Sequence, residues 1–330
     1  MALILPARFP LAVLPTPLVR ARRLEQALGS SPIWLKRDDL TGFVLAGNKA
    51  RKLEFIVAGA LEQGSDVLVT GGGPGSNFCA GTAAAARVAG LRCLLILYGR
   101  EPAVAHPNLA LMRYFGAAIQ FTNDPDRESV DRALPDKVAE LKVQGHRPYG
   151  IPRGGASAIG AVGYAVASRE LYAQLRAKRV QPSTVLVATG SGGTQAGLVA
   201  AEAADDHGWK VAGASVSRPV AACRQRVLDL ARGCAGLLGT PEPTEAHVAV
   251  TEARGPGFGL TSAAGADAAR LAARTEGLLL DPVYTAKAFA VLIDLVRAGV
   301  DGPTVFIHTG GAPAALRALT STYGKEPGSA

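Results

Sequence analysis

Two lysines stand close together in Gly47-Asn48-Lys49-Ala50-Arg51-Lys52, in a chain otherwise sparing with lysine. Leu53, Ile56, Val57 and Ala60 follow at helical spacing and predict an amphipathic helix over 51–63, with Lys49 at or just before its N-terminus. The helix dipole disfavours a cation there. An anionic or electrophilic neighbour would explain both lysines, although two solvated lysines at a helix start fit the same residues.

Three glycine-rich loops offer a place for such a neighbour. They are Gly71-Gly72-Gly73-Pro74-Gly75-Ser76-Asn77, Thr189-Gly190-Ser191-Gly192-Gly193-Thr194 and Thr309-Gly310-Gly311-Ala312-Pro313. Each follows an apolar run and precedes a helical one, and in open α/β sheets ligands bind where such loops lie. Glycine lets backbone N–H groups approach an anion closely, and a helix start adds a favourable field. The second loop, with three glycines and three hydroxyls, is the best phosphate cradle, although structural glycines at a tight turn suit it equally. It lacks the Gly-Lys-Ser/Thr of an ATPase loop and the dinucleotide pattern with its ribose-binding acid.

Other chemistries find less support. There is no Gly-x-Ser-x-Gly elbow, and the five histidines form no metal-ligand spacing. His308 ends an apolar run and reads as a core or crevice residue. Asp281-Pro282-Val283-Tyr284-Thr285 breaks an apolar run just ahead of a helix, where Tyr284 could reach a crevice or simply pack.

The elements that must position these residues alternate. Strand runs are expected at 66–70, 92–98, 117–122, 184–188, 210–217, 247–250 and 304–308. Helices are expected at 77–88, 108–115, 128–144, 161–178, 194–204, 221–237, 263–275 and 285–298. This rhythm argues for an α/β doubly wound class with parallel sheets covered on both faces. It pauses at 149–160, rich in Pro and Gly, which reads as a crossing between two lobes. The tail 325–330 reads as disordered.

The chain has 330 residues, of which 48% are apolar, enough for a sizeable core. A net charge of +8 invites a nucleic-acid reading, but the basic residues are scattered without interleaved aromatics. Cys79, Cys93, Cys223 and Cys234 form no metal or redox pair and read as reduced thiols. Residues 1–5 lack the features of a leader, and no apolar stretch reaches membrane-spanning length, so a cytoplasmic protein is expected.

Taken together, the motifs resemble pyridoxal-phosphate enzymes of the tryptophan-synthase-β fold type, in the branch of 1-aminocyclopropane-1-carboxylate deaminase and D-cysteine desulfhydrase. The resemblance rests on Lys36-Arg37-Asp38-Asp39-Leu40, Ala46-Gly47-Asn48-Lys49-Ala50-Arg51-Lys52-Leu53-Glu54, Gly75-Ser76-Asn77 and Ile151-Pro152-Arg153-Gly154-Gly155-Ala156-Ser157. The segments 189–197, 281–287 and 308–311 complete it, so that it covers nearly the whole chain. It implies two doubly wound open parallel-sheet lobes with the cofactor in the cleft between them. Residues 1–48 and 160–330 would form the large lobe, and 49–159 the small lobe carrying the lysine. The protein would be a homodimer.

The resemblance also implies roles. Lys49 would hold pyridoxal 5'-phosphate as a Schiff base and later act as the base, with Arg51 and Lys52 as candidates for lowering its pKa. Lys52 would belong to the cofactor site. Thr189, Gly190, Ser191, Gly192, Gly193 and Thr194 would hold the phosphate. Asn77 would bond the ring hydroxyl, and Ser76 would lie near the substrate carboxylate. Ser76 and Tyr284 would be catalytic, and both would line the substrate pocket with Asn77, Phe78, Gly155, Phe258 and Thr285. Thr285 and Thr309 are the desulfhydrase-like pair, where deaminases are expected to carry Glu and an apolar residue. A hydroxyl at the pyridine nitrogen leaves it unprotonated, a weaker electron sink that suits loss of a β-leaving group better than opening a cyclopropane.

Two departures concern the pocket. Phe78 replaces a usual polar residue, with Ala80 at a usual arginine, and Phe258 replaces a tyrosine in Gly257-Phe258-Gly259. Both push the pocket in an apolar direction and suggest a changed substrate. The expected activity is α,β-elimination on a small amino acid, releasing a 2-oxo acid, ammonia and sulfide or another group. β-Replacement, cyclopropane deamination and a non-catalytic cofactor-binding role are the alternatives. No metal and no nucleic-acid or membrane partner is expected.

Overall fold

The strands at 67–72 and 184–189 are buried at every position, as expected of central strands covered on both faces. A computed structural model describes residues 5–323 and shows how the rest assembles around them. The N-terminal third holds β1 (Leu18–Arg20), α1 (Arg22–Leu28), β2 (Ile33–Lys36), α2 (Asn48–Glu62), β3 (Val67–Gly72) and α3 (Asn77–Val88). Next come β4 (Arg92–Leu97), α4 (Pro107–Tyr114), β5 (Ala118–Phe121), α5 (Ser129–Val143), β6 (Pro148–Gly150) and α6 (Ala158–Ala177). Then follow β7 (Thr184–Thr189), α7 (Gly193–Asp205), β8 (Lys210–Ser215), α8 (Val220–Leu238) and β9 (Ala249–Glu252). The last are α9 (Ala263–Glu276), α10 (Thr285–Arg297), β10 (Thr304–Ile307) and α11 (Ala312–Tyr323).

Two sheets result. One has four strands in the order β5-β4-β3-β6, all parallel. The other has six in the order β1-β2-β10-β7-β8-β9, parallel except for β1 against β2. The fold is therefore the expected α/β class with two sheets. The strands β1, β2 and β6 do not figure in the sequence reading. β6 begins with Pro148 and lies at a sheet edge, the one place a strand tolerates the missing N–H. Near 247, a 3-10 turn at Glu245–His247 replaces the start of the expected strand.

Helix α2 begins at Asn48 and puts Lys49 in its first turn. It packs against α6 at a close approach: a Cβ on Gly163 would overlap the Arg51 carbonyl oxygen. Lys49 is thereby fixed by a backbone-to-backbone contact rather than by a flexible loop. The Gly-rich segments after β3, β7 and β10 all leave the carboxyl ends of their strands, and they converge on α2's start. The tail from Lys325 and the first four residues lie outside the described part of the chain.

Candidate active site

An inner cavity opens where these loops meet, lined by Asn48, Lys49, Ser76, Asn77, Phe78, Gly154, Thr189, Gly190, Ser191, Gly192, Thr194, Gln195, Asp281, Tyr284, Thr309 and Gly310, among others. Burial draws the Lys49 ammonium from its ordinary 10.5 down to about 8, against the opposing pull of Asp281. A meaningful fraction of neutral amine is therefore present near neutral pH.

Beside it lies an anion cradle. Gly192 precedes α7 with φ 96°, a conformation that favours glycine, and no side chain caps this helix. The amides of Ser191 and Gly192 donate to no protein oxygen among the described residues. Side chains have no room here. A Cβ on Gly190 would stand 2.8 Å from the Tyr284 ring, and one on Gly193 2.8 Å from Lys52 Nζ. Asn48 Nδ2 donates to Thr194 Oγ1 at 2.9 Å and ties the start of α2 to the start of α7. Bare amides at a helix start are what a phosphate needs.

The other wall is polar and held. Asn77 Oδ1 accepts from Asn108 Nδ2 at 2.7 Å, while its own Nδ2 donates to no protein atom among the described residues. Ser76 caps α3, its Oγ accepting from the Cys79 amide at 3.2 Å. Asp281 accepts from the amides of Val283, Tyr284 and Thr285 at 2.9–3.0 Å, and Thr285 Oγ1 donates to it at 2.7 Å. Burial, and next Asp281, push the Tyr284 phenol far up, so it stays protonated and can donate.

Several expected site residues lie behind this wall. Lys52 is fully buried and donates to the Gly154 carbonyl at 2.7 Å. Its amine braces the back of the 189–194 loop, although burial and then Lys49 hold it well below an ordinary lysine. Gly193 meets Lys52 there, and Gly155 packs on the Phe78 ring. Thr285 is buried beneath Asp281. Arg51 faces away from Lys49, towards Asp38 and Glu170 at 2.8–3.0 Å, because two residues along a helix point in different directions. His308 is buried outside the cavity, its Nδ1 accepting from Gly310 N at 3.3 Å.

Phe258 lies in a second, outer cavity that shares Ser76, Asn77, Gly190, Asp281 and Tyr284 with the inner one. Its ring meets Tyr284 edge-on at 6.0 Å. Asp281 and Gln195 are not among the site residues expected from the sequence. The Asp-Pro break does mark Asp281; Gln195 sits inside a helix pattern and carries no signal. Gln195 accepts from Thr189 Oγ1 at 2.9 Å and donates to the Ala249 carbonyl at 2.7 Å, locking the loop's base.

An amine beside bare helix-start amides suits a molecule that carries both an aldehyde and a phosphate. The chain belongs to the pyridoxal-phosphate-dependent enzyme family, whose model matches residues 10–310. Its members use pyridoxal phosphate, and the residues present here fit that group. The chain is 42% identical to a D-cysteine desulfhydrase of Salmonella choleraesuis (strain SC-B67) over 311 residues, 91% of this chain and 92% of that one. A D-cysteine desulfhydrase of Salmonella typhi is 41% identical over the same coverage. The crystal structure of an ACC deaminase homologue is similar with TM-score 0.89 and 33% identity over 96% of each chain. A fungal L-serine ammonia-lyase from Rhizomucor miehei shares the fold, with TM-score 0.68, 18% identity, and coverage of 94% of this chain and 98% of that one.

Proposed function

We propose that this protein is a pyridoxal-phosphate-dependent lyase of the D-cysteine desulfhydrase kind, removing a β-substituent from a small amino acid. One observation carries the reading: Lys49, drawn down to about 8, shares a cavity with the bare amides of the 189–194 loop. The relatives named D-cysteine desulfhydrase support it over most of the chain. Bound pyridoxal phosphate supplies an electron sink for the bond broken at Cα.

The remaining roles fall to this chain's residues. Lys49 would hold the cofactor through its aldehyde carbon, and the loop amides with Thr194 would hold its phosphate. Asn77 Nδ2 would donate to the ring oxygen, and Thr309 lines the cavity where the ring would lie. As a neutral amine, Lys49 takes the Cα proton. Tyr284, kept protonated, is suited to hand a proton to the departing group. Ser76 stands at α3's start, where the helix field favours a substrate carboxylate.

The proposal includes a large lobe of 1–48 and 160–330, a small lobe of 49–159, and a homodimer in the cytoplasm. Buried, unpaired cysteines suit a reducing compartment. Among the described residues no helix is long and apolar enough to cross a membrane. Incubation with D-cysteine tests the activity: sulfide and pyruvate in equal amounts are expected. Uptake of the cofactor with no 2-oxo acid from D-cysteine or β-chloroalanine would overturn elimination.

A further inference from the structure

The outer cavity is more basic than a thiol leaving group requires. It has a volume of about 420 Å³, and Arg127, Arg153, Arg218 and Arg317 stand on its wall. Asp281 is the sole carboxylate lining it among the described residues, and that carboxylate is taken up by three amides and Thr285. Arg153 is paired with Asp131.

Among the described residues the hydrogen bonds of Arg127 and Arg218 go to uncharged oxygens. Arg127 Nη2 donates to the Ser217 carbonyl at 3.2 Å, and Arg218 Nη1 donates to the Gly190 carbonyl at 2.6 Å and to Ser217 Oγ at 3.3 Å. Both guanidinium groups are thus anchored by their neighbours without being neutralised. Arg127 also rests on the Phe258 ring, 5.2 Å from its centroid, a face that holds a cation. Phe258 therefore does more than make the pocket apolar: it carries a charge into it. Burial, then the charges of Arg127, Arg153 and Arg226, lower the Arg218 pKa. Burial, then Arg317, bring the His106 imidazole on the same wall to about 4, so it stays neutral. Like charges gathered in a cleft, where among the described residues only Arg153 has a carboxylate partner, cost stability unless an anion arrives.

We propose that this cavity receives a tetrahedral oxyanion on the substrate's β-carbon, making the preferred substrates amino acids esterified there with sulfate or phosphate. The proposal rests on the elimination reading above. For a sulfate ester, the Cα proton passes to Lys49, the Cβ–O bond breaks, and its electron pair leaves with sulfate. Water then replaces nitrogen on the three-carbon product, giving pyruvate and ammonium, with no oxidant or reductant required. Arginine suits the departing group because its planar fork matches oxyanion geometry and its charge does not depend on pH.

The test supplies the holoenzyme with both enantiomers of serine O-sulfate, O-phosphoserine and β-chloroalanine, and follows pyruvate. The ratio of kcat/KM for an ester to that for β-chloroalanine is expected to fall about tenfold or more in Arg127→Gln and in Arg317→Gln, mainly through KM. Inorganic sulfate and phosphate should compete with β-chloroalanine, more weakly in both variants. The visible cofactor band verifies that each variant is folded and loaded. Turnover of whichever ester matches its oxyanion, with the ratio falling in the variants, supports the proposal. Turnover of β-chloroalanine with no ester consumed, or a ratio unmoved in both variants, overturns it and leaves elimination standing. Pyruvate from none of these compounds, nor from D-cysteine, overturns both.

Discussion

Among the described residues Asp281 is the one carboxylate that lines the cavity with Lys49, and it raises the Lys49 pKa while burial lowers it. The same carboxylate caps α10. Asparagine removes the charge and keeps one of the two acceptor oxygens, so part of this hydrogen bonding at the start of α10 survives the substitution. In Asp281→Asn the opposing influence disappears, so Lys49 should fall below about 8. Only the neutral amine attacks an aldehyde. The rate at which apoprotein captures pyridoxal phosphate should therefore rise with pH through a midpoint near 8, and through a lower one in the variant. A midpoint near 10.5, that of an unperturbed lysine, would contradict the burial of this amine.

Behind the site, Arg51 joins Asp38 and Glu170, while Lys36 contacts Glu170 and Tyr164 donates to Asp38 at 2.6 Å. Burial alone would raise the Asp38 and Glu170 carboxyls, but Arg51 and Lys36 outweigh it and hold both below their ordinary values. Folded carboxyls with depressed pKa values stabilise the protein above the unfolded values, about 4, and lose that contribution as pH falls through the folded ones. Urea midpoints should accordingly hold near neutrality and drop in acid. Asp38→Asn, which removes one of the two carboxylates facing the buried Arg51 guanidinium and leaves Glu170, should cost about 1–3 kcal/mol at pH 7 and reduce the acid drop. An unchanged midpoint would show that the cluster contributes nothing.

Gly163 permits the approach of α6 to α2. Alanine usually favours a helix by about 1 kcal/mol over glycine. Here its methyl would meet the Arg51 carbonyl oxygen, which is backbone and cannot turn aside. Gly163→Ala should destabilise by about 1–3 kcal/mol, read from urea unfolding, and weaken cofactor retention by shifting Lys49. Stabilisation would mean that the helices separate freely.

Much of this was legible in the sequence because it is local. Continuous apolar runs mark β3 and β7, helical spacing marks α2, and glycine followed by a helix start marks the cradle. What escaped depends on distant pairing or on direction. β1 and β2 have three and four residues, too few to show a period, and β2 becomes a strand by pairing with β10 far along the chain. Lys52, one helical turn past Lys49, reads from the sequence as a cofactor contact, and in the fold its long side chain reaches the Gly154 carbonyl behind the loop. Thr285 reads from the sequence as a pocket residue, and in the fold its hydroxyl donates to Asp281. Arg127 and Arg218 stand in separate loops and converge on Ser217 only in the fold, so scattered basic residues concealed a basic chamber.

The most direct measurement is the position of the cofactor itself. Borohydride reduction of the yellow holoprotein fixes pyridoxal phosphate to whichever lysine holds it, and peptide mass spectrometry reads the residue. The label is expected on Lys49, with Lys49→Ala losing the covalent attachment. A label on Lys52, or a wild-type protein that takes up no cofactor, would contradict the assignment of Lys49.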